Sequence, residues 1–296
     1  MGPFTSLLAV ALTFIWTSGA LNSPAQKSAV ISIKPTVGLP SRHGAHLVSE
    51  WQDTVGVLAR TVQDAATVLI AIAGTDPNDP FTISDPRDDS NTRKLGQDTN
   101  FAHACTKSGL EGKGIAACSP RIPRHLFPND EVVVTALDKA FPIMRAQGDT
   151  IVDNVRFSEF NSNYTSSEDI DWTFGLRVSI HEKNPEERPD DWGMDEWLKC
   201  EELDLNVGGC PTIGVPLEYY PKDHPIAHRK SSGLATTGPN VPSGGLFIGR
   251  RWADSNLIAA AHAFEQACLI RDQVPPIVSS DIQLPLHKAE KIGESL

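Results

Sequence analysis

Several groupings of residues have the types that could do chemistry, and each lacks a partner which that chemistry needs. His181-Glu182 has no second histidine four residues on, and Pro185 breaks the helix that a zinc-binding H-E-x-x-H pair requires. A metalloprotease is excluded. His224 and His228 stand four apart beside Asp223, but Pro225 between them places them on a loop rather than on one helix face. Gly244-Gly245-Leu246-Phe247-Ile248-Gly249 offers spaced glycines without a following helix start or a downstream acidic partner, so it reads as glycines around a packed strand. No G-x-S-x-G elbow presents a serine for a hydrolase triad. Glu186-Glu187-Arg188-Pro189-Asp190-Asp191 reads as a solvated face, because adjacent carboxylates in a proline-containing loop do not hold fixed geometry. The five cysteines, at 105, 118, 200, 210 and 268, form no C-x-x-C pair, and their odd number leaves at least one thiol unpaired in a monomer. Neither a metal nor a cofactor is expected.

The elements that must position any site follow from periodicity. Val30-Ile31-Ser32-Ile33 is a β-branched run stopped by Lys34-Pro35-Thr36, a buried strand leaving into a turn. Asp53 and Thr54 open a helix carrying Val55, Leu58, Val62, Ala65, Ala66, Leu69 and Ile72 at spacings of three and four, predicting a helix over Thr54–Ala73 ended by Gly74. Asp76 to Gln97 reads as a surface connection that links without packing. Gly114–Ala117 predicts a strand, Glu131–Arg145 a helix with Val133, Ala136, Leu137, Ala140, Phe141 and Met144 inward, and Thr150–Val155 another strand. That order favours an α/β fold, a parallel or mixed sheet flanked by helices. From Glu159 to Asp204 the pattern breaks down, apart from a candidate helix over Met194–Leu203. Pro211–Leu217 and Gly245–Ile248 are strand-like, and Asp254 or Ser255 caps a last helix with Leu257, Ile258, Ala261, Phe264 and Cys268.

With 296 residues, 40% hydrophobic and 21% charged, the chain can bury one large core or two small ones. Its net charge of −11 opposes nucleic acid and anionic lipid as partners. The long apolar run, Leu7–Trp16, is half the length of about 20 residues that a membrane span needs. Followed by Ser18-Gly19-Ala20, it reads as a signal peptide over residues 1–20, cleaved after Ala20 and leading to secretion. The sequon Asn163-Tyr164-Thr165 makes Asn163 a glycosylation candidate.

Blocks of sequence then resemble the amidase signature family. They are Ser32-Ile33-Lys34-Pro35-Thr36-Val37-Gly38-Leu39 with Ser41-Arg42, Gln52-Asp53-Thr54-Val55-Gly56, and Ala59-Arg60-Thr61-Val62-Gln63-Asp64-Ala65-Ala66. Gly209-Cys210-Pro211-Thr212-Ile213-Gly214-Val215-Pro216 resembles the family's A-G-x-P-A-I-x-V-P strand. Gly244 to Arg250 resembles its G-L-Q-F-I-G-R segment, and Ala263-Phe264-Glu265-Gln266 its A-F-E-Q terminus. Ala73 to Asp79 and Gly238 to Pro242 look like the secreted fungal members. The likeness covers Ser23 to Val155 and Gly209 to Val278, with a shortened middle around 159–204.

The resemblance implies a partial α/β/α domain over 21–296 and a small amide as substrate if the chain is active. Such members cleave carboxamide C–N bonds through an acyl-serine, using a Ser-Ser-Lys triad in which a desolvated neutral lysine draws a proton through a bridging serine. Aligning Pro24-Ala25 with the family's proline sets Thr17-Ser18-Gly19-Ala20-Leu21 on its T-G-G-S-I strip. Thr17, Ser18 and Gly19 then match the oxyanion turn, and Ala20 holds the nucleophile's place with no oxygen to acylate. The triad's lysine and bridging serine lie upstream of this strip in the family, and Lys27, the first lysine of the chain, comes after it. An inactive chain is therefore expected; the alternative is a secreted, non-catalytic binding or partner protein, its partner unknown, derived from an amidase. Loss of a packing half predicts that the Val55–Ile72 stripe is exposed and solubility poor.

Overall fold

The computed structural model describes residues 11–13, 21–47, 50, 53–83, 100–118, 131–155, 209–228, 235–249 and 251–274. Their elements run β1 (Ala11–Thr13), α1 (Asn22–Lys27), β2 (Ile31–Lys34), β3 (Gly56–Ala59), α2 (Val62–Ile72), α3 (Pro80–Ile83), β4 (Gly114–Cys118), α4 (Glu131–Ala146), β5 (Thr150–Val155), β6 (Thr212–Tyr219), β7 (Ala227–His228), β8 (Ala235–Thr237), β9 (Pro242–Ile248) and α5 (Asp254–Cys268). Short 3-10 turns lie at Phe101–Ala104 and Ile270–Gln273.

The principal sheet has the order β1-β3-β2-β6-β9, and every pairing in it is antiparallel. Ile33 sits at its centre, opposite Val57 on one side and Ile213 on the other. The expected parallel pairing exists separately: β4 and β5, joined by α4, form a two-stranded parallel sheet, as a strand-helix-strand crossover dictates. Alternation along the strands divides the principal sheet's faces. Ile31, Ile33, Val57, Ile213, Val215 and Phe247 join one core with Leu69 of α2 and Ile258 and Phe264 of α5. Ser32 and Thr212 point the other way, toward α1.

Four expectations are corrected. The helix expected from Thr54 begins at Val62, because Gly56–Ala59 is a strand hydrogen-bonded between β1 and β2. Thr61 is the true N-cap, its hydroxyl accepting the Asp64 amide at 3.0 Å. A short strand followed directly by an amphipathic helix happened to keep a three-and-four spacing across the join. The stripe on α2 is covered rather than exposed, since Val62, Ala65, Ala66 and Leu69 are buried by β3, the Phe101–Ala104 turn and α5, all within this chain. Of the stretch from Asp76 to Gln97, residues 76–83 do pack, with α3 among them and Asp79 and Thr82 buried, and residues 84–97 lie outside the described residues. Asp254 is not a cap, for Ala253 holds the N-cap position of α5 and the Asp254 carboxylate turns elsewhere.

The strands predicted at 30–33, 114–117, 150–155, 211–217 and 245–248 and the helix predicted at 131–145 are present, with observed bounds of 31–34, 114–118, 150–155, 212–219, 242–248 and 131–146. The candidate helix over Met194–Leu203 lies outside the described residues. β1 falls in the apolar run read as a signal peptide, and there it supplies an edge of the principal sheet. No helix among the described residues is long and apolar enough to cross a membrane.

Candidate functional site

Thr17, Ser18, Gly19 and Ala20, and the sequon at Asn163, lie outside the described residues. The residues that follow the strip, Leu21 and Asn22, are fixed to the sheet. Leu21 is buried against Gly56, where an added Cβ would clash with the Leu21 side chain and lie 2.7 Å from the Ile33 carbonyl oxygen. Only glycine leaves room there. Asn22, at the first position of α1, donates from Nδ2 to the Thr212 hydroxyl at 2.9 Å and accepts at Oδ1 from the Ser32 hydroxyl at 2.7 Å. These three buried polar side chains satisfy one another and pin the chain just after the strip to β2 and β6. Gly214, next to Ser32 across the sheet, has no Cβ to displace the Ser32 hydroxyl.

At the end of β2 lies the Lys34-Pro35-Thr36 turn. Lys34 is fully buried, and its ammonium donates to the Cys210 carbonyl at 2.8 Å. Burial pushes its pKa down to about 8, opposed by the nearby Asp254 and Asp53 carboxylates and reinforced by Arg251. Thr36 donates its amide to Asp254 Oδ1 at 2.9 Å and its hydroxyl to Oδ2 at 2.6 Å, while the same hydroxyl accepts the Trp252 amide at 2.9 Å. Trp252 holds φ at 65°, a left-handed conformation rare for a bulky residue, and this aims its amide at Thr36. One carboxylate at the start of α5 thus locks the turn that leaves the central strand.

A second buried charge pair braces the loop beyond. Arg42 Nε lies 3.1 Å from Asp79 Oδ2, the Arg42 amide donates to the same oxygen at 2.8 Å, and the guanidinium lies over the Phe81 ring at 4.1 Å from its centre. Burial would raise the Asp79 pKa, but the Arg42 hydrogen bonds and charge outweigh it and hold the carboxyl below its ordinary value.

His224 packs its ring on Tyr220 at 4.6 Å and sits in a loop, and exposed His228 lies in β7. Among the described residues no group of three or more His, Cys, Asp or Glu could hold a metal ion. His181, Glu182 and the acidic run 186–191 lie outside the described residues. The sequence gives no separate role to Asn22, offers Asp254 only as a helix cap, and gives none to Asp79. A lysine ending a β-branched strand was a visible signal of a buried charge, whereas their partners lie 190, 218 and 37 residues away.

An antiparallel sheet clasped by helices defines an α/β scaffold similar to that of amidases of known structure. A peptide amidase from Stenotrophomonas maltophilia superposes with a TM-score of 0.53 at 22% identity, over 86% of this chain and 61% of that one. Residues 17–141 match the family model named Amidase. The amidase-named protein of Arthroderma benhamiae is 30% identical over 84% of this chain and 52% of its own length, and an amidase-named protein of Arabidopsis thaliana is 28% identical over 86% and 56%. The chain is therefore similar to amidases through the matched residues 17–141 and, at 28–30% identity, along most of its length. It spans about half the length of the fungal and plant relatives.

Proposed function

We propose that this chain is an amidase-family scaffold, related to enzymes that hydrolyse carboxamide C–N bonds through an acyl-serine, and that it forms no such intermediate by itself. The observation that carries the reading is Ala20 in the strip Thr17-Ser18-Gly19-Ala20, at the place where the family match begins. An alanine methyl group cannot attack a carbonyl carbon, so an oxyanion turn there has no tetrahedral intermediate to stabilise. The anchors at Leu21 and Asn22 support a retained scaffold around that position. The test is release of ammonia from simple aliphatic and aromatic amides by the purified chain, together with labelling by a serine-directed fluorophosphonate. Neither is expected; turnover that is abolished by a substitution within this chain overturns the reading.

A second reading, a secreted non-catalytic protein, is favoured by the apolar run Leu7–Trp16 ending at Ser18-Gly19-Ala20. Expression in a fungal host followed by N-terminal sequencing decides it. Exported protein starting at Leu21 supports it, and protein found only inside the cells with Met1 retained overturns it.

A further inference from the structure

Away from the strip and its anchors, α5 carries a buried pair of titratable groups. Glu265 and His262 are one turn apart, with Oε2 4.0 Å from Nδ1 and both side chains about nine-tenths buried. His262 Nδ1 has no hydrogen-bond partner among the described residues. The Glu265 carboxylate accepts the Val62 amide at 3.1 Å, satisfying a free N–H in the first turn of α2, and its other oxygen lies 3.8 Å from the Arg271 guanidinium. Other groups face the pair from every side: Gln266 and Cys268 on α5, Asp64 on α2, Cys105 after the Phe101–Ala104 turn, and Lys107 toward His262.

A buried ring nitrogen without a partner is costly, and here the nearest group that could serve it is a carboxyl about 1 Å beyond hydrogen-bond reach. With the neutral ring carrying its proton on Nε2, a carboxylate, which offers only acceptors, cannot serve the Nδ1 lone pair, whereas a carboxylic acid can. We propose that Glu265 and His262 form a one-proton switch, in which a proton taken from solvent sits on Glu265 Oε2 and is donated to His262 Nδ1, and its loss returns the carboxylate to Arg271. The bookkeeping is one proton bound by the carboxylate and one hydrogen bond gained by the ring, with the ring staying neutral.

The surroundings favour that distribution. Burial raises the Glu265 carboxyl to about 6, against the opposing pull of the Val62 amide and Arg271, while burial and Lys107 lower the His262 ring below its ordinary value. The element the switch biases is the Ile270–Gln273 turn. Its Arg271 carbonyl accepts the Tyr219 hydroxyl at 3.4 Å, its guanidinium donates to the Arg60 carbonyl, and it faces Val215 and Pro216 of β6 across a shallow groove. The Glu265 charge ties the Arg271 side chain of that turn to α5, at 3.8 Å. Acid therefore loosens Arg271 while tightening Glu265 on His262.

The experiment is an NMR titration of the full isotope-labelled chain between pH 4.5 and 8, following the Glu265 carboxyl carbon and the His262 ring nitrogens. A common midpoint at about 6 is expected, with the ring remaining neutral through it. Glu265→Gln, an isostere of the acid, removes the step. His262→Leu keeps Glu265 titrating but lowers its midpoint by about one pH unit, because the neutral carboxyl has lost its acceptor. Separate midpoints for the two groups, a common step that survives Glu265→Gln, or a Glu265 midpoint unmoved by His262→Leu each overturns the switch. The wild-type titration alone decides between one midpoint and two if a variant does not fold.

Discussion

Thr36 and Asp254, 218 positions apart in sequence, meet through two hydrogen bonds to one buried carboxylate, amide to Oδ1 at 2.9 Å and hydroxyl to Oδ2 at 2.6 Å. The contact joins the turn after the central strand to the first residue of the last helix. It also supplies negative charge near the buried Lys34 ammonium. Asp254→Asn keeps the shape but replaces one charged acceptor by an amide nitrogen, leaving a Thr36 donor facing a donor. The expected loss is about 1.5–3 kcal/mol by urea unfolding at neutral pH, the range for hydrogen bonds to charged groups. A loss below about 0.5 kcal/mol would show that the lock contributes nothing net.

Lys34 makes a pH-dependent contribution whose sign follows from its depressed pKa. The unfolded chain holds the lysine proton to about 10.5 and the folded chain releases it from about 8, so the unfolded state binds more protons between those values. Stability from this group therefore rises as pH increases from 8 toward 10.5, by at most about 3 kcal/mol. Comparing the unfolding free energy of the wild type with Lys34→Met at pH 8 and 10 isolates that slope. The wild type should gain on the variant as pH rises; a falling or flat difference contradicts the assignment.

Leu69 on α2 is completely buried among residues of this chain. Leu69→Ala should cost about 2–5 kcal/mol, from lost transfer energy and the cavity left between α2 and its neighbours. Chemical denaturation measures it. A cost below about 0.5 kcal/mol would mean that the helix face is not packed as described.

The covered face of α2 shows how far local sequence went. The 3.6-residue period identified Val62, Ala65, Ala66 and Leu69 as one face, and the structure buries all four. The same period could not reveal that Gly56–Ala59 is extended, because four residues are too few to separate a helical from a strand pattern when apolar residues continue across the boundary. What decided it was pairing on both sides, with β1 and β2, an interaction that depends on chain brought from elsewhere.

By itself, the sequence determined the strands with strong β-branched runs, the amphipathic faces of α2, α4 and α5, the kinship with amidases, and an alanine at position 20 of the strip that resembles theirs. These are local properties: a period, a breaker, a block of residues or a side chain that lacks an oxygen. Only the tertiary structure decided that Asn22 ties α1 to β2 and β6, that Asp254 serves Thr36 instead of capping its own helix, and that Glu265 serves the first turn of a different helix, α2. Each of these joins groups far apart in the chain, and a buried polar group takes whichever partner the packed core brings within about 3 Å, a choice that spacing along the chain does not encode.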